Sequence, residues 1–259
     1  MKKLSFIVDI GNTMISYAIF EKEDLLYRGD FSSKNVNIED FCNEISKLIK
    51  DNSIDINEFK GGLISSVVPH LSRLIQIAIN SVIKCEIPIL TNDINLKVDM
   101  DIDNPLEVGG DILADIVATK EYYGYPSLVV DLGTVTKYIV LDENGVFIGT
   151  TFYPGIEACL SSLSDKTALL PNLSSFTIPE RYLGKNTKEA MESGIYYGTV
   201  GGISGVTSFV KSMFKTPIKC ILTGGFSNLI YPSLKDFIFD ANLILKGVNL
   251  LYRKYYEAK

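Results

Sequence analysis

Two short segments 122 residues apart constrain this chain more than any other feature. The first runs Phe6-Ile7-Val8-Asp9-Ile10-Gly11-Asn12-Thr13, and the second Leu128-Val129-Val130-Asp131-Leu132-Gly133-Thr134-Val135-Thr136. Each is a short Val/Ile-rich run, then Asp, an apolar residue, Gly and small polar residues. Each continues into a second apolar run, Ile15 to Phe20 and Tyr138 to Leu141. Asp142-Glu143-Asn144-Gly145 is a hairpin turn that returns a third strand over Val146 to Thr151. Glu21 to Asp24 plays the same part in the first half, with Leu25 to Asp30 returning. Helices and strands then alternate: a helical spacing over Ile38 to Ile49, a buried strand over Gly61 to Val67, and a helix over Leu71 to Ile83. The second half repeats the plan with a helical stretch from Ala190 to Phe214, a strand over Ile218 to Leu222, and a closing helix over Ala241 to Tyr256. Three hairpin strands followed by helix and strand, twice over, predict duplicated mixed α/β domains joined through Asn92 to Gly124.

Bulk properties limit what such a chain can do. Its 259 residues suit two lobes, and a hydrophobic share of 46% fills their cores. A net charge of −6 argues against a nucleic-acid grip and leaves phosphate handling in need of counter-ions, a divalent metal first among them. Asp9 and Asn12 interrupt the opening apolar run, so it does not read as a signal sequence, and no stretch reaches the ~20 apolar residues that cross a bilayer. Cys42, Cys85, Cys159 and Cys220 are scattered, as free thiols in a reducing cytoplasm would be, without zinc or disulfide spacing. The single histidine, His70, follows Pro69 at a helix start and reads as a surface residue. A histidine-based triad is excluded.

A strand that ends in Asp-x-Gly suits a polyphosphate brought close to the backbone. Gly11 and Gly133 clear the approach, while backbone N–H groups and the side chains of Asn12, Thr13, Thr134 and Thr136 donate to phosphate oxygens. Asp9 and Asp131 are then placed to hold a hydrated Mg²⁺ or another cation. Either segment taken alone is also what a polar hairpin turn requires. Thr223-Gly224-Gly225 follows a buried strand and fits backbone packing against an adenosine. Neither a Walker A lysine nor a Rossmann glycine fingerprint is present. Asp111, after Gly109-Gly110, opens a helix-patterned segment from Ile112 to Thr119. Two readings stand for it: a helix N-cap, or the acceptor of a substrate hydroxyl proton. Asp115, one turn later, reads as a solvated surface residue.

Taken together these residues resemble the type III pantothenate kinases. Asp9-Ile10-Gly11-Asn12-Thr13 is similar to that family's first phosphate motif, and Asp131-Leu132-Gly133-Thr134-Val135-Thr136 to its second. Ser65-Ser66-Val67-Val68-Pro69 is similar to its serine-serine-valine strand end, and Asn104-Pro105 through Gly109-Gly110-Asp111 to its substrate loop. Pro154-Gly155-Ile156, Thr167-Ala168-Leu169-Leu170-Pro171, Asn186-Thr187, Ser193-Gly194-Ile195 with Tyr197-Gly198, and Thr223-Gly224-Gly225 follow in order.

The resemblance implies an α/β fold of two ribonuclease H-like, actin/hexokinase-type domains with mixed five-stranded sheets. They would span residues 1–118 and 119–259, with ATP in the cleft between them. It implies ATP-dependent phosphorylation of pantothenate, the first step toward coenzyme A, by a cytoplasmic homodimer that binds neither nucleic acid nor membrane. Its ATP and phosphate contacts fall on Asp9, Gly11, Asn12, Thr13, Gly133, Thr134, Thr136, Gly224 and Gly225, with Mg²⁺ held through water at Asp9. A monovalent cation, K⁺ or NH₄⁺, falls on Asp131. Asp111 becomes the proton acceptor, and Gly109, Gly110, Ile112 and Thr187 the substrate pocket.

Three positions depart from the family's pattern. Ile112 stands where its loop has Arg, Ile102 where it has Tyr, and Lys137-Tyr138-Ile139 where an acidic residue is usual. An arginine lost from a substrate anion forfeits ~1.5–3 kcal/mol, about ten- to over a hundredfold in affinity. The departures leave open a kinase for a different small alcohol, or a nucleotide-binding regulator without turnover. Lys137 reads as an exposed strand lysine, with a positive charge restored near the phosphates as the other reading.

Overall fold

The structure, a computed structural model, describes residues 3–165, 170–171 and 176–257. The Thr167–Pro171 motif lies largely outside the described residues. The described chain divides into two compact units. One comprises residues 1–99, 103–121 and 243–259, and the other 100–102 and 122–242. The last helix therefore belongs to the first unit, where a cut at residue 118 assigns it to the second.

In the first unit, β1 (Leu4–Ile10), β2 (Met14–Glu21) and β3 (Asp24–Ser32) form an antiparallel meander, and β4 (Phe59–Ser66) joins β1 in parallel. The sheet order is β3-β2-β1-β4. Among the described residues four strands are present here instead of five. The fifth position is held by Ile89 alone, where Ile64 donates to the Pro88 carbonyl at 2.9 Å and Leu90 donates to the Ile64 carbonyl at 2.7 Å. Pro88 has no N–H to extend that ladder. Alternation puts Phe6, Val8 and Ile10 on one face of β1. There they pack with Phe41 and Ile45 of α1 (Ile38–Asp51) and Ile75 and Ile79 of α2 (Pro69–Ile83). Asn37 caps α1 by accepting from the Glu39 N–H, and Pro69 occupies the first turn of α2, where its missing N–H costs nothing.

Residues Ser5, Ile7 and Asp9 occupy the other face of β1. α3 (Gly110–Tyr122) and α7 (Leu243–Tyr255) complete this unit. α7 runs so close to α3 that a Cβ on Gly247 would collide with the backbone of Ala114. Asn249 of α7, fully buried, accepts from Ser5 Oγ at 3.1 Å and donates to the Lys22 carbonyl at 2.7 Å, which ties the end of the chain to β1 and the β2–β3 turn. Asp115 is 0% exposed on α3, so the solvated role expected of it does not hold.

The second unit repeats the plan. β5 (Ser127–Leu132), β6 (Val135–Leu141) and β7 (Phe147–Pro154) are antiparallel, and β8 (Lys219–Thr223) and β9 (Ile238–Phe239) extend the sheet in parallel. The order β7-β6-β5-β8-β9 matches the first sheet strand for strand and supplies the fifth. Leu128, Val130, Leu132 and Tyr138 pack with Ile195, Tyr196 and Ile203 of α5 (Thr187–Ser212), with α4 (Ile156–Asp165) and α6 (Ser227–Ile230) alongside.

Candidate active site

In the first unit the β1–β2 turn is Gly11-Asn12-Thr13. Gly11 donates to the Met14 carbonyl at 2.9 Å, and Ser33 braces the turn from outside. Its N–H donates to the Thr13 carbonyl at 2.9 Å and its hydroxyl to the Gly11 carbonyl at 2.6 Å. The turn is fixed by backbone bonds, so the exposed Asn12 side chain is spared for other use. Asp9, half-buried, lies level with Ser16 on β2 and Ser65 on β4. A Cβ on Gly110 would stand 3.0 Å from Ser65 Oγ, so the start of α3 sits directly on the end of β4. Ser65 Oγ is buried and makes no hydrogen bond in the described structure. Asp9, Ser65 and the Gly109-Gly110-Asp111 loop are thus gathered at one end of one sheet, where β1 and the parallel β4 finish, the end at which open α/β sheets take ligands.

Asp111 is inside the first turn of α3 rather than at its cap. The Leu113 N–H bonds to the Gly109 carbonyl at 3.0 Å, which makes Gly109 the capping position. Asp111 Oδ1 accepts from the Ile112 N–H at 2.9 Å, and the helix dipole favours its negative charge. Ile112 is 7% exposed and belongs to the packing of α3.

In the second unit Asp131 is 1% exposed at the end of β5, flanked in register by Lys137 on β6 and Thr223 on β8. Lys137 Nζ lies 2.5 Å from Asp131 Oδ2, an ion pair rather than a well-aligned hydrogen bond. Lys137 is 8% exposed, so the expectation of an exposed strand lysine is overturned. The tight turn at Gly133-Thr134 forces this outcome, because it sets Asp131 and Lys137 opposite each other on one face of the hairpin. That arithmetic was available from the motif spacing and was the missed signal. Thr136 pairs with Leu132 and is buried on the other face, away from Asp131.

Two glycine turns close on this strand end. The Gly155 N–H donates to the Thr134 carbonyl at 3.1 Å, and a Cβ on Gly155 would strike the carbonyls of Gly133 and Thr134. Gly224, at φ +93°, lies against Asp131 Oδ1 and Leu132. The Phe226 N–H bonds to the Leu132 carbonyl at 3.2 Å, which anchors the Gly224-Gly225 turn to β5. Thr134 and Gly225 are exposed beside this junction. Farther along the same unit, Thr187 begins α5 beside Asn186, whose side chain accepts from the Glu189 N–H at 2.9 Å. Thr187, Lys185, Asn186, Leu163 and Met191 line an open depression of about 530 Å³.

Each sheet thus carries a carboxylate, a glycine turn and exposed small polar groups at the finishing end of its parallel strands. That arrangement suits an oxyanion or polyphosphate held by backbone N–H groups. The family model for type III pantothenate kinase matches residues 5–208. A type III pantothenate kinase of Geobacillus thermodenitrificans is 33% identical over 257 residues, covering 98% of this chain and 99% of its relative. One of Halalkalibacterium halodurans is 30% identical over 250 residues, covering 96% and 98%. Among solved structures, component A of the (R)-2-hydroxyglutaryl-CoA dehydratase of Acidaminococcus fermentans superposes with a TM-score of 0.59 at 11% identity, over 99% of this chain and all of that one. The fold is accordingly the actin/hexokinase type. With two relatives matched over nearly their full length and a family match over residues 5–208, the chain belongs to the type III pantothenate kinase family.

Proposed function

We propose that this chain is an ATP-dependent kinase that phosphorylates pantothenate to 4'-phosphopantothenate, the entry to coenzyme A synthesis. The observation that carries the reading is the end-to-end likeness to curated type III pantothenate kinases. The substrate is Mg·ATP. Gly11, Asn12 and Thr13 are one set of phosphate contacts and Gly133 and Thr134 another, with Asp9 reaching the magnesium through water and Gly224-Gly225 backing the nucleoside. Asp111 takes the proton of the pantothenate primary hydroxyl. The oxygen attacks the γ-phosphorus in line, the bond to the β-phosphate oxygen breaks, and ADP leaves. Because phosphoryl transfer asks mainly for positioning and charge neutralisation, backbone turns and a few fixed charges suffice.

Gly109, Gly110 and Thr187 serve the pantothenate pocket. Ile112 brings no donor, so its part is to pack the loop that holds Asp111. The second phosphate motif calls for a positive charge beside Asp131, which the family resemblance assigns to K⁺ or NH₄⁺.

A homodimer is the assembly favoured by α5. Gly194, Gly198, Gly201, Gly202 and Gly205 recur along it, and an added Cβ at any of them meets none of the described residues within 4 Å. Five glycines inside one helix cost about 1 kcal/mol each, which a closely packed second copy offsets. Phe209 in its last turn and Met213 at its C-cap are 76% and 65% exposed. Among the described residues no helix is long and apolar enough to cross a membrane.

The test is a turnover screen with purified protein, ATP, Mg²⁺ and K⁺ against a panel of small alcohols that includes pantothenate. Pantothenate-dependent ADP release supports the reading. Turnover of another alcohol alone, or of none, refutes it.

A further inference from the structure

The cation at the second phosphate motif is where this chain parts from what its family resemblance implies. Asp131 is 1% exposed, and burying a charge is costly unless it is paired. Its partner is internal. Lys137, opposite it on the neighbouring strand, brings Nζ to 2.5 Å from Oδ2 and is itself 8% exposed. On the other side Gly224 presses against Oδ1, closely enough that even a methyl group would collide. Thr223 fills the remaining register position and is 1% exposed. An alkali ion coordinates through several oxygens and would have to enter this space beside an ammonium of like charge. The residues around Asp131 therefore do not fit a bound K⁺ or NH₄⁺.

We propose that Lys137 is the tethered cation of this site: its ammonium, held on Asp131, supplies the positive charge at the Gly133-Thr134 phosphate turn, and the protein works without a monovalent metal ion. The inference rests on the reading of that turn as an ATP phosphate contact. A fixed ammonium carried by a strand is positioned before the nucleotide arrives, as electrostatic preorganisation requires. Lysine serves such a role as a point charge, without the directional fork of arginine.

The experiment measures the Mg·ATP dissociation constant by calorimetry, and pantothenate turnover in parallel, in choline chloride and in KCl at equal ionic strength. For the unaltered protein both quantities are expected to agree in the two salts. A K⁺-dependent gain of ~10-fold or more in affinity, the scale of one charge-assisted contact, overturns the proposal. K137M is expected to bind Mg·ATP ~10-fold or more weakly in choline, whether or not K⁺ repairs it. Unchanged binding in K137M also overturns the proposal. K137R keeps the charge, and its binding is expected to remain indifferent to K⁺ even where its affinity falls. Should K137M fail to fold, the two-salt comparison on the unaltered protein decides by itself. Salt-indifferent Mg·ATP binding without pantothenate turnover would refute the substrate reading and leave Lys137 in its role. Absence of Mg·ATP binding in either salt overturns both.

Discussion

Gly224 and Asp131 share a space that admits no further carbon atom. Gly224 holds φ at +93°, and a Cβ built there runs into Asp131 Oδ1 and the backbone of Leu132. The glycine is required twice, once by its backbone angle and once by its neighbour. Gly224→Ala is expected to cost about 1–3 kcal/mol in backbone strain and about 1–3 kcal/mol in overpacking, and to weaken Mg·ATP binding by displacing the turn. Gly225→Ala is the control, because no described residue lies within 4 Å of an added Cβ there. Denaturant titration of both variants decides; equal stability would contradict the packing described.

The Asp131–Lys137 pair makes a prediction about stability separate from nucleotide binding. Removing one member leaves the other charge buried without its partner, which costs about 3–5 kcal/mol, whereas removing both restores neutrality. Asp131→Asn and Lys137→Met are each expected to be strongly destabilising, and the double variant less so than their sum. A double-mutant cycle measured by urea unfolding reads the coupling directly. Strict additivity would show that the short Nζ–Oδ2 approach carries no energy.

Asp111 is a prediction about chemistry. Asp111→Asn keeps size and the backbone contact from Ile112 but cannot take a proton, so pantothenate turnover should fall ~10²–10⁴-fold. Mg·ATP affinity should be spared. Single-turnover kinetics separates the two quantities, and full activity in this variant would remove Asp111 from the role.

Much of this architecture was legible in the chain. The repeated Asp-x-Gly segments fixed where β1 and β5 end, and the apolar runs behind them fixed two antiparallel meanders whose observed register agrees. Boundaries moved by one to three residues where caps override periodicity, as at Thr187, which starts α5 because Asn186 caps it, ahead of the apolar pattern. Two kinds of fact were hidden. One was long-range packing: α7 returns to the first unit because Gly247 fits Ala114 and Asn249 reaches Ser5, contacts that no local pattern encodes. The other was burial of charge. Asp115 and Lys137 read as surface residues by type, and only tertiary packing covers them. Lys137 was recoverable from hairpin register, whereas nothing local to α3 marked Asp115.

The buried tyrosines make alkaline stability a further test. Burial raises the Tyr138 phenol to about 12, with the charge of Tyr153 adding to it, and burial followed by the charges of Glu257 and Cys85 raises Tyr252 to about 12. In the unfolded chain both ionise near 10. Between those values the folded protein holds protons that the unfolded chain has released, so unfolding becomes easier as pH rises. The stabilisation is complete below pH ~10 and is lost as pH climbs through ~12, by about 2–3 kcal/mol for each group. Unfolding by urea at stepped pH, followed by phenolate absorbance, should show this decline. Tyr138→Phe should make it shallower by one proton's worth. A slope unchanged by that substitution would mean that Tyr138 ionises in the folded protein as freely as it does in the open chain.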